Sequence, residues 1–337
     1  MIHALAITGP TASGKTALSL AVARALGCEI ISLDSMQIYR GMDIGTAKAT
    51  ESERRAAPHH CIDILSPDES FSAEAYRKVA MAAARDIVQR GKIPLFVGGT
   101  GLYLATLLRP EVTEFPPEAN ASYHESVASE IRTEEDKISL WRRLSEVDPD
   151  SAAAIHYNNV RRVIRALEIY EVTGKTKTYF DMLTKAKSTE ISVCHVTLDF
   201  HERETLYERI GKRVDMMIAE GLEAEVRELT LGGYLSQKTT AAQAIGYKEM
   251  LEAIRGETSL TEAVERIKQA SRNYAKRQLT WFRHREDVNT LFADSEGGDM
   301  KEPSDILAEC LEIFENYLNN IKIPDSQRGE TNESIRT

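Results

Sequence analysis

A chain of 337 residues can bury a sizeable core and is expected to form two domains, or one domain carrying an insertion. Its 42% hydrophobic and 28% charged residues are a globular composition, and no run of about 18 apolar residues is present, which excludes an ordinary membrane-spanning helix. The formal net charge of −10 argues against nucleic acid only until its distribution is read: residues 286–337 hold 13 acidic and 4 basic side chains, leaving 39 acidic against 38 basic over residues 1–285. Within that neutral part, residues 158–187 carry seven Lys/Arg against three acids, and residues 272–285 carry five Lys/Arg and no acid. Clusters of this kind, rather than the total, decide affinity for a phosphate backbone.

In chain order, the apolar run from Ala4 to Ile7 reads as a buried strand and the residues from Ala17 onward as a helix. Residues 29–33 form a second strand candidate, ending at Asp34 and Ser35. Residues 72–90 have helical periodicity with a stop at Gly91, and residues 93–97 read as a strand running into Gly98, Gly99, Thr100 and Gly101. This alternation predicts an α/β fold of the P-loop, kinase-like type: a parallel sheet with helices on both faces and ligands at the carboxyl ends of the strands. Residues 1–111 form the first part of this core. Pro110, Pro116 and Pro117 then mark a boundary, and residues 112–190 read as an all-helical insertion. Residues 191–198 return to a strand, and residues 191–290 complete the core with further helices broken at Gly232 and Gly233. Residues 291–337 are an acidic extension with one amphipathic helix over 302–321 and a disordered tail from Pro324. The first residues enter a strand directly, so no secretory leader is expected. Cys28, Cys61, Cys194 and Cys310 are scattered without metal-ligand spacing and are expected to be reduced thiols of a cytoplasmic protein.

Between the first strand and helix lie Gly9, Pro10, Thr11, Ala12, Ser13, Gly14, Lys15 and Thr16, which fit G-x-x-x-x-G-K-[ST] at every position. Backbone N–H groups of such a loop curl around phosphate oxygens, and the helix N-terminus adds the positive end of its dipole. Lys15 would reach the outer phosphate, and the Thr16 hydroxyl would hold Mg²⁺. A second acidic strand end of the kind that serves ATP hydrolysis is missing, because the strand at 93–97 ends in glycines, and no guanine-reading N-K-x-D is present. The acid stands instead at the end of the second strand. Asp34 there is either the base for an acceptor or only the cap of the next helix. Gly174, Lys175 and Thr176 imitate a phosphate loop without its upstream glycine and read as a helix-end turn. His59 and His60 with Asp63 lack a third well-spaced ligand and read as structural.

The phosphate loop followed in register by residues 31–48 (ISLDSMQIYRGMDIGTAK) strongly resembles the tRNA dimethylallyltransferase family, also called tRNA isopentenyltransferases. Further matching segments come in the family's order: Pro58, His59 and His60 with Asp63; residues 97–103 (VGGTGLY); Asp148 and Pro149; residues 159–168 (NVRRVIRALE); Gly174 and Lys175; residues 242–249 (AQAIGYKE); and residues 275–283 (AKRQLTWFR). The resemblance covers residues 4–285.

It implies transfer of a dimethylallyl group from dimethylallyl diphosphate to N6 of the adenosine 3′ of the anticodon, position 37, with diphosphate leaving and Mg²⁺ as cofactor. The loop at 9–16 then grips the donor's diphosphate, and Arg213, four residues after Arg209 on one helical face, would close over it. Asp34 would accept the proton of the exocyclic amine, with Thr100 near the same reacting groups. The adenosine must leave its stack, and an unpaired loop base is the cheapest to flip. Contacts to the anticodon stem-loop are implied for Asp34, Ser35, Met36 and Gln37, and for Arg161, Arg162, Val163, Ile164 and Arg165 on the insertion. They are implied also for Gln243, Gly246 and Lys248, and for Lys276, Arg277 and Arg283. One departure is that residues 120–124 (NASYH) lack the Arg or Lys that many relatives place there to reach RNA, which leaves that contact open, with His124 as a candidate replacement. A monomer is the default expectation, with no membrane partner. The rival readings are an ATP-dependent small-molecule kinase using Asp34 as base and a non-catalytic RNA-binding P-loop protein. The basic helices count against the first, and Asp34 beside the loop counts against the second.

Overall fold

The computed structural model describes residues 1–109, 121–186, 189–236 and 239–321. The expected proline boundary at Pro110, Pro116 and Pro117 and the expected disordered tail lie outside these residues. Two compact units are formed, one within Met1–Leu107 and Ile191–Thr337 and one within Leu108–Glu190.

The first unit is built on six parallel strands: β1 (Ile2–Thr8), β2 (Cys28–Leu33), β3 (His59–His60), β4 (Ile93–Gly98), β5 (Ile191–Asp199) and β6 (Asn289–Phe292), in the order β3-β2-β4-β1-β5-β6. The central strand β1 is largely apolar, as a strand covered on both faces must be. Its register against β4 pairs Ile7 with Val97, and against β5 pairs Ile7 with Val196. Helices α1 (Lys15–Leu26), α2 (Glu51–Ala56), α3 (Ala73–Gln89) and α4 (Gly101–Leu107) accompany the first four strands. The two edge strands, β3 and β6, are the ones that sequence periodicity does not signal. They are two and four residues long and only partly buried, too short for an alternation to show.

The second unit is helical among its described residues: α5 (Ala121–Glu130), α6 (Glu134–Val147), α7 (Pro149–Ala154), α8 (Val160–Thr173) and α9 (Lys177–Ala186). Leu140, Leu144, Val163, Ile164 and Leu167 form its core. Gly174 ends α8 in the left-handed conformation, φ 68°, so the phosphate-loop imitation is a helix-end turn as expected.

The chain then adds α10 (Arg203–Ala219), α11 (Leu222–Leu231), α12 (Tyr247–Ile254), α13 (Leu260–Arg283) and α14 (Pro303–Asn320) to the first unit. One sheet face packs Leu5, Ile7, Leu95 and Val196 against Leu18 and Val22 of α1 and Cys310 and Phe314 of α14. On the opposite face α3 touches β1, β2 and β4, and Phe282 of α13 sets its ring edge-on to His195 of β5, 5.9 Å between centroids. A third cluster carries the irregular segment after β2: Ile38, Tyr39 and Met42 are buried against Val214, Leu222, Val226, Tyr247 and Ile267. That segment has only an isolated parallel bridge, Tyr39 to Leu65, with the Ile64 N–H donating to the Ile38 carbonyl at 2.8 Å and the Arg40 N–H to the Leu65 carbonyl at 2.9 Å, and this packing adds to those bonds.

Candidate active site

The phosphate loop joins the carboxyl end of β1 to α1. Gly9 has φ 142°, and a Cβ there would stand 2.8 Å from the Leu198 carbonyl oxygen, so the chain turns out of the sheet only without a side chain. Ala12 holds φ 62°, a strained value for a residue with a Cβ. The loop is braced from three sides. Lys15 Nζ donates to the Pro10 carbonyl at 2.5 Å, Arg209 Nε to the Ala12 carbonyl at 2.9 Å, and the Thr11 N–H to Oε1 of Gln278 at 2.9 Å. Arg209 therefore supports the loop backbone, while Arg213, one turn on, approaches the Thr46 carbonyl at 3.5 Å. Both arginines, Lys15, Thr16 and Asp34 line one cavity of about 560 Å³. Burial, then the neighbouring Arg213, lowers the Lys15 ammonium to about 7 against the opposing pull of Asp34. Burial also lowers the Arg213 guanidinium, with Asp34 again opposing. Lys15 and Arg213 are thus two basic groups, each lowered by burial, that share Asp34 as their opposing charge.

Asp34 follows the carboxyl end of β2. Its Oδ1 accepts the Met36 N–H at 2.8 Å and the Gln37 N–H at 3.4 Å, which holds a turn; the helix-capping alternative is corrected, because the next helix, α2, begins at Glu51 with Thr50 as its cap. No such bond engages Oδ2 among the described residues, and the same carboxylate lines the cavity, so holding the turn leaves one oxygen for chemistry. The Thr100 hydroxyl oxygen accepts the Ser35 N–H at 3.1 Å, joining the ends of β2 and β4. The Gln37 carboxamide is turned inward, accepting from Ser32 Oγ at 3.2 Å and approaching the Thr46 and Ala47 carbonyls at 3.4 and 3.3 Å. The buried Lys48 donates to the Tyr39 carbonyl, Asp43 and Asp63 at 2.6 to 2.7 Å. From α11, Glu225 accepts the N–H groups of Asp43, Ile44 and Gly45 at 2.9, 2.7 and 3.2 Å and the Tyr247 hydroxyl at 2.5 Å. His60 pairs with Glu29 at 2.8 Å, and His59 Nδ1 bonds the Ala57 carbonyl at 2.8 Å.

A second cavity of about 360 Å³ shares Thr11, Asp34, Thr46, Arg213, Met217 and Tyr274 with the first. It is lined further by Ser35, Met36, Gln243, Gly246 and Arg277. Two compartments thus meet at Asp34 and Arg213, one beside the phosphate loop and one beside the residues expected at RNA.

Residues 37–285 match the family model described as IPP transferase, and residues 2–64 match that described as isopentenyl transferase. The chain belongs to the IPP transferase family. It is 43% identical over 294 residues to the tRNA dimethylallyltransferase of Thermoanaerobacter sp. (strain X514), covering 87% of this chain and 92% of that one. With the tRNA dimethylallyltransferase of Bacillus velezensis it shares 44% identity over 317 residues, 94% of this chain and 97% of the relative. Among solved structures, the tRNA isopentenylpyrophosphate transferase of Bacillus halodurans superposes with a TM-score of 0.69 at 39% identity, over 96% of this chain and 99% of that one. A eukaryotic dimethylallyltransferase described as acting on tRNA gives 0.78 at 29% identity, over 95% and 80%. The kinase reading is not favoured by any of these likenesses.

Within this family chain, the residues expected at RNA divide. Arg161, Arg162, Lys248, Lys276 and Arg277 are exposed. Val163 and Ile164 are corrected: they are 0% and 1% exposed, in the core of the helical unit, because α8 turns its apolar face inward at this point. Arg165 is held by the buried Glu168 at 2.7 Å, and His124 Nε2 meets the same carboxylate at 3.0 Å, so the candidate replacement for the missing basic residue is an internal partner. Arg283 forms a bidentate pair with Asp199, both bonds 2.7 Å, which ties α13 to the end of β5 while its side chain stays 42% exposed. Tyr274 and Gln278 are site residues that sequence reasoning does not single out. The available signal is their spacing with Trp281, four and then three residues apart, which stacks all three on one face of α13.

Proposed function

We propose that this chain transfers the dimethylallyl group of dimethylallyl diphosphate to N6 of adenosine 37 in tRNA, releasing diphosphate and leaving N6-(dimethylallyl)adenosine. The observation that carries the reading is the meeting of two compartments at Asp34 and Arg213, one headed by a phosphate loop with two basic groups lowered by burial, in a chain of this family. The diphosphate lies against the N–H groups of the loop at 9–16, with Lys15 and Arg213 on its oxygens. The flipped adenine enters beside Met36, Gly246 and Tyr274.

In the reaction the N6 lone pair forms a bond to C1 of the dimethylallyl group. The C1–O bond breaks, and its electron pair leaves with the diphosphate. Lys15 and Arg213 stabilise the charge that builds there, in a cavity where water screens poorly. Asp34 orients the amine through Oδ2 and takes its proton. An aromatic amine is a weak nucleophile, so holding it at the correct angle contributes more than the basicity of the carboxylate. Thr16, exposed in the first turn of α1 and lining the cavity, is a hard oxygen donor. That fits Mg²⁺, which takes one or two protein ligands and completes its shell with phosphate oxygens and water. When bound, the ion would neutralise charge on the diphosphate. Arg161, Arg162, Lys276 and Arg277 contact the anticodon stem-loop. No helix among the described residues is long and apolar enough to cross a membrane. A tRNA substrate and four free, buried cysteines support a cytoplasmic location, and the acting unit in this reading is the monomer.

The test is incubation of the full chain with labelled dimethylallyl diphosphate, Mg²⁺ and unmodified tRNA. Label in RNA supports the reading. Unlabelled RNA together with ATP-dependent phosphorylation of a metabolite would replace it with the kinase.

A further inference from the structure

Gln278 is 6% exposed in the C-terminal part of the basic helix α13, where a buried amide must find partners for both its ends. It finds them on two different loops of the site. Its Oε1 accepts the Thr11 N–H of the phosphate loop at 2.9 Å, and its Nε2 donates to the Gly99 carbonyl at 3.0 Å, beside Thr100. The fit is close: a Cβ on Gly99 would stand 2.0 Å from Gln278 Nε2, and one on Gly101 would stand 2.4 Å from the Trp281 ring. One turn earlier, Tyr274 lines the same cavity as Gln278, and burial raises its hydroxyl while Thr100 and Gln278 oppose the shift. Thr100 in turn receives the Ser35 N–H next to Asp34. Two hydrogen bonds of Gln278, the Gly99–Thr100 peptide and the Ser35–Thr100 bond therefore link the diphosphate loop to the corner that carries the proposed base.

We propose that Gln278 is a positioning residue for the transfer: its side-chain amide sets the spacing between the phosphate loop and the Thr100 turn. Through that spacing it sets the register of the donor's C1 against the amine at Asp34. Only an amide supplies one acceptor and one donor in a fixed plane at this length. A carboxylate keeps the bond from Thr11 and repels the Gly99 carbonyl, and a methionine fills the volume and makes neither bond. The proposal rests on the function proposed above.

The experiment compares Gln278→Met and Gln278→Glu with the wild-type chain in three measurements: kcat and KM for dimethylallyl diphosphate, the Kd of inorganic pyrophosphate, and the Kd of an anticodon stem-loop RNA. Misplacement of reacting groups by a fraction of an ångström to an ångström predicts a fall in kcat of roughly tenfold to hundredfold in both variants. Loss of the Thr11 bond predicts a pyrophosphate Kd at least about fivefold weaker in Gln278→Met. RNA affinity should stay within about twofold, because the exposed basic face of α13 is untouched. Turnover and pyrophosphate affinity near wild type, with only a lower melting temperature, would overturn the proposal, as would failure of both variants to fold. A wild-type chain that binds pyrophosphate but leaves RNA unlabelled would refute the proposed function instead. The pyrophosphate arm would then decide on Gln278 alone.

Discussion

Replacing Glu225 by Gln perturbs the site without touching it. The Glu225 carboxylate receives three successive backbone N–H groups, from Asp43, Ile44 and Gly45, and the Tyr247 hydroxyl. Burial first, and the Glu225 charge next, hold that hydroxyl well above its ordinary range, so it stays a donor at any working pH. Glutamine has nearly the same shape but presents one amide nitrogen to donors that need an oxygen. Hydrogen bonds to a charged group are worth roughly 1.5–3 kcal/mol each. Two of the four are lost, and partial exposure of the carboxylate discounts them, so the expected cost is about 2–4 kcal/mol. For a unit of this size that lowers the melting temperature by roughly 5–12 °C. Gly45 and Thr46 line the second cavity, so turnover measured about 20 °C below the melting midpoint should also fall, by about tenfold, from a loosened loop. Calorimetry and steady-state kinetics on the same preparation measure both. A melting temperature within about 1 °C of wild type, with unchanged turnover, would refute the claim that this clamp holds the segment.

Three other outcomes are expected from the same geometry. The Lys15 ammonium sits at about 7 in the free chain, and bound diphosphate supplies the anion that restores its proton. Pyrophosphate binding at about pH 8 should therefore take up protons, and affinity should weaken as pH rises from about 7 to 9. Titration calorimetry in buffers of different ionisation heat measures this uptake, and its absence would remove the account of Lys15. Asp34→Ala should keep RNA affinity within about threefold while losing most turnover, by roughly a hundredfold or more. Near-normal turnover would exclude it as base. RNA affinity should fall steeply with salt, and Arg161→Ala or Lys276→Ala should each reduce the slope of log K against log salt by about one. A salt-independent affinity would deny the basic clusters their role.

The sequence carried the parts of this molecule that repeat a local pattern. Strands β1, β2, β4 and β5 are apolar runs ending in turn or polar residues, and the loop at 9–16 is a motif whose glycines have a backbone reason to be there. Strands β3 and β6 have no pattern to read, since they are only edge pairings to β2 and β5. The segment from Met36 to Lys48 resembled the family but not any secondary structure. Its shape comes from Lys48, from Glu225, 182 residues beyond Asp43, and from the apolar cluster under it. Motif membership also misplaced side chains. Val163 and Ile164 belong to a run rich in arginine, yet helical spacing with Leu167 marks the apolar face, and that face is inside. Arg283 reads as one more basic residue until Asp199, 84 residues earlier, is brought beside it. Gln278, an uncharged amide, has no electrostatic signature in a sequence, only its helical spacing with Tyr274 and Trp281. Its meaning is entirely in the two loops it joins.

The most direct test of the central claim is label transfer from dimethylallyl diphosphate into a synthetic anticodon stem-loop, compared with the same stem-loop carrying another base in place of the adenosine after the anticodon. The account predicts Mg²⁺-dependent labelling of the first, located at N6 of that adenosine, and none of the second. Equal labelling of both, or of neither while pyrophosphate still binds, would contradict it.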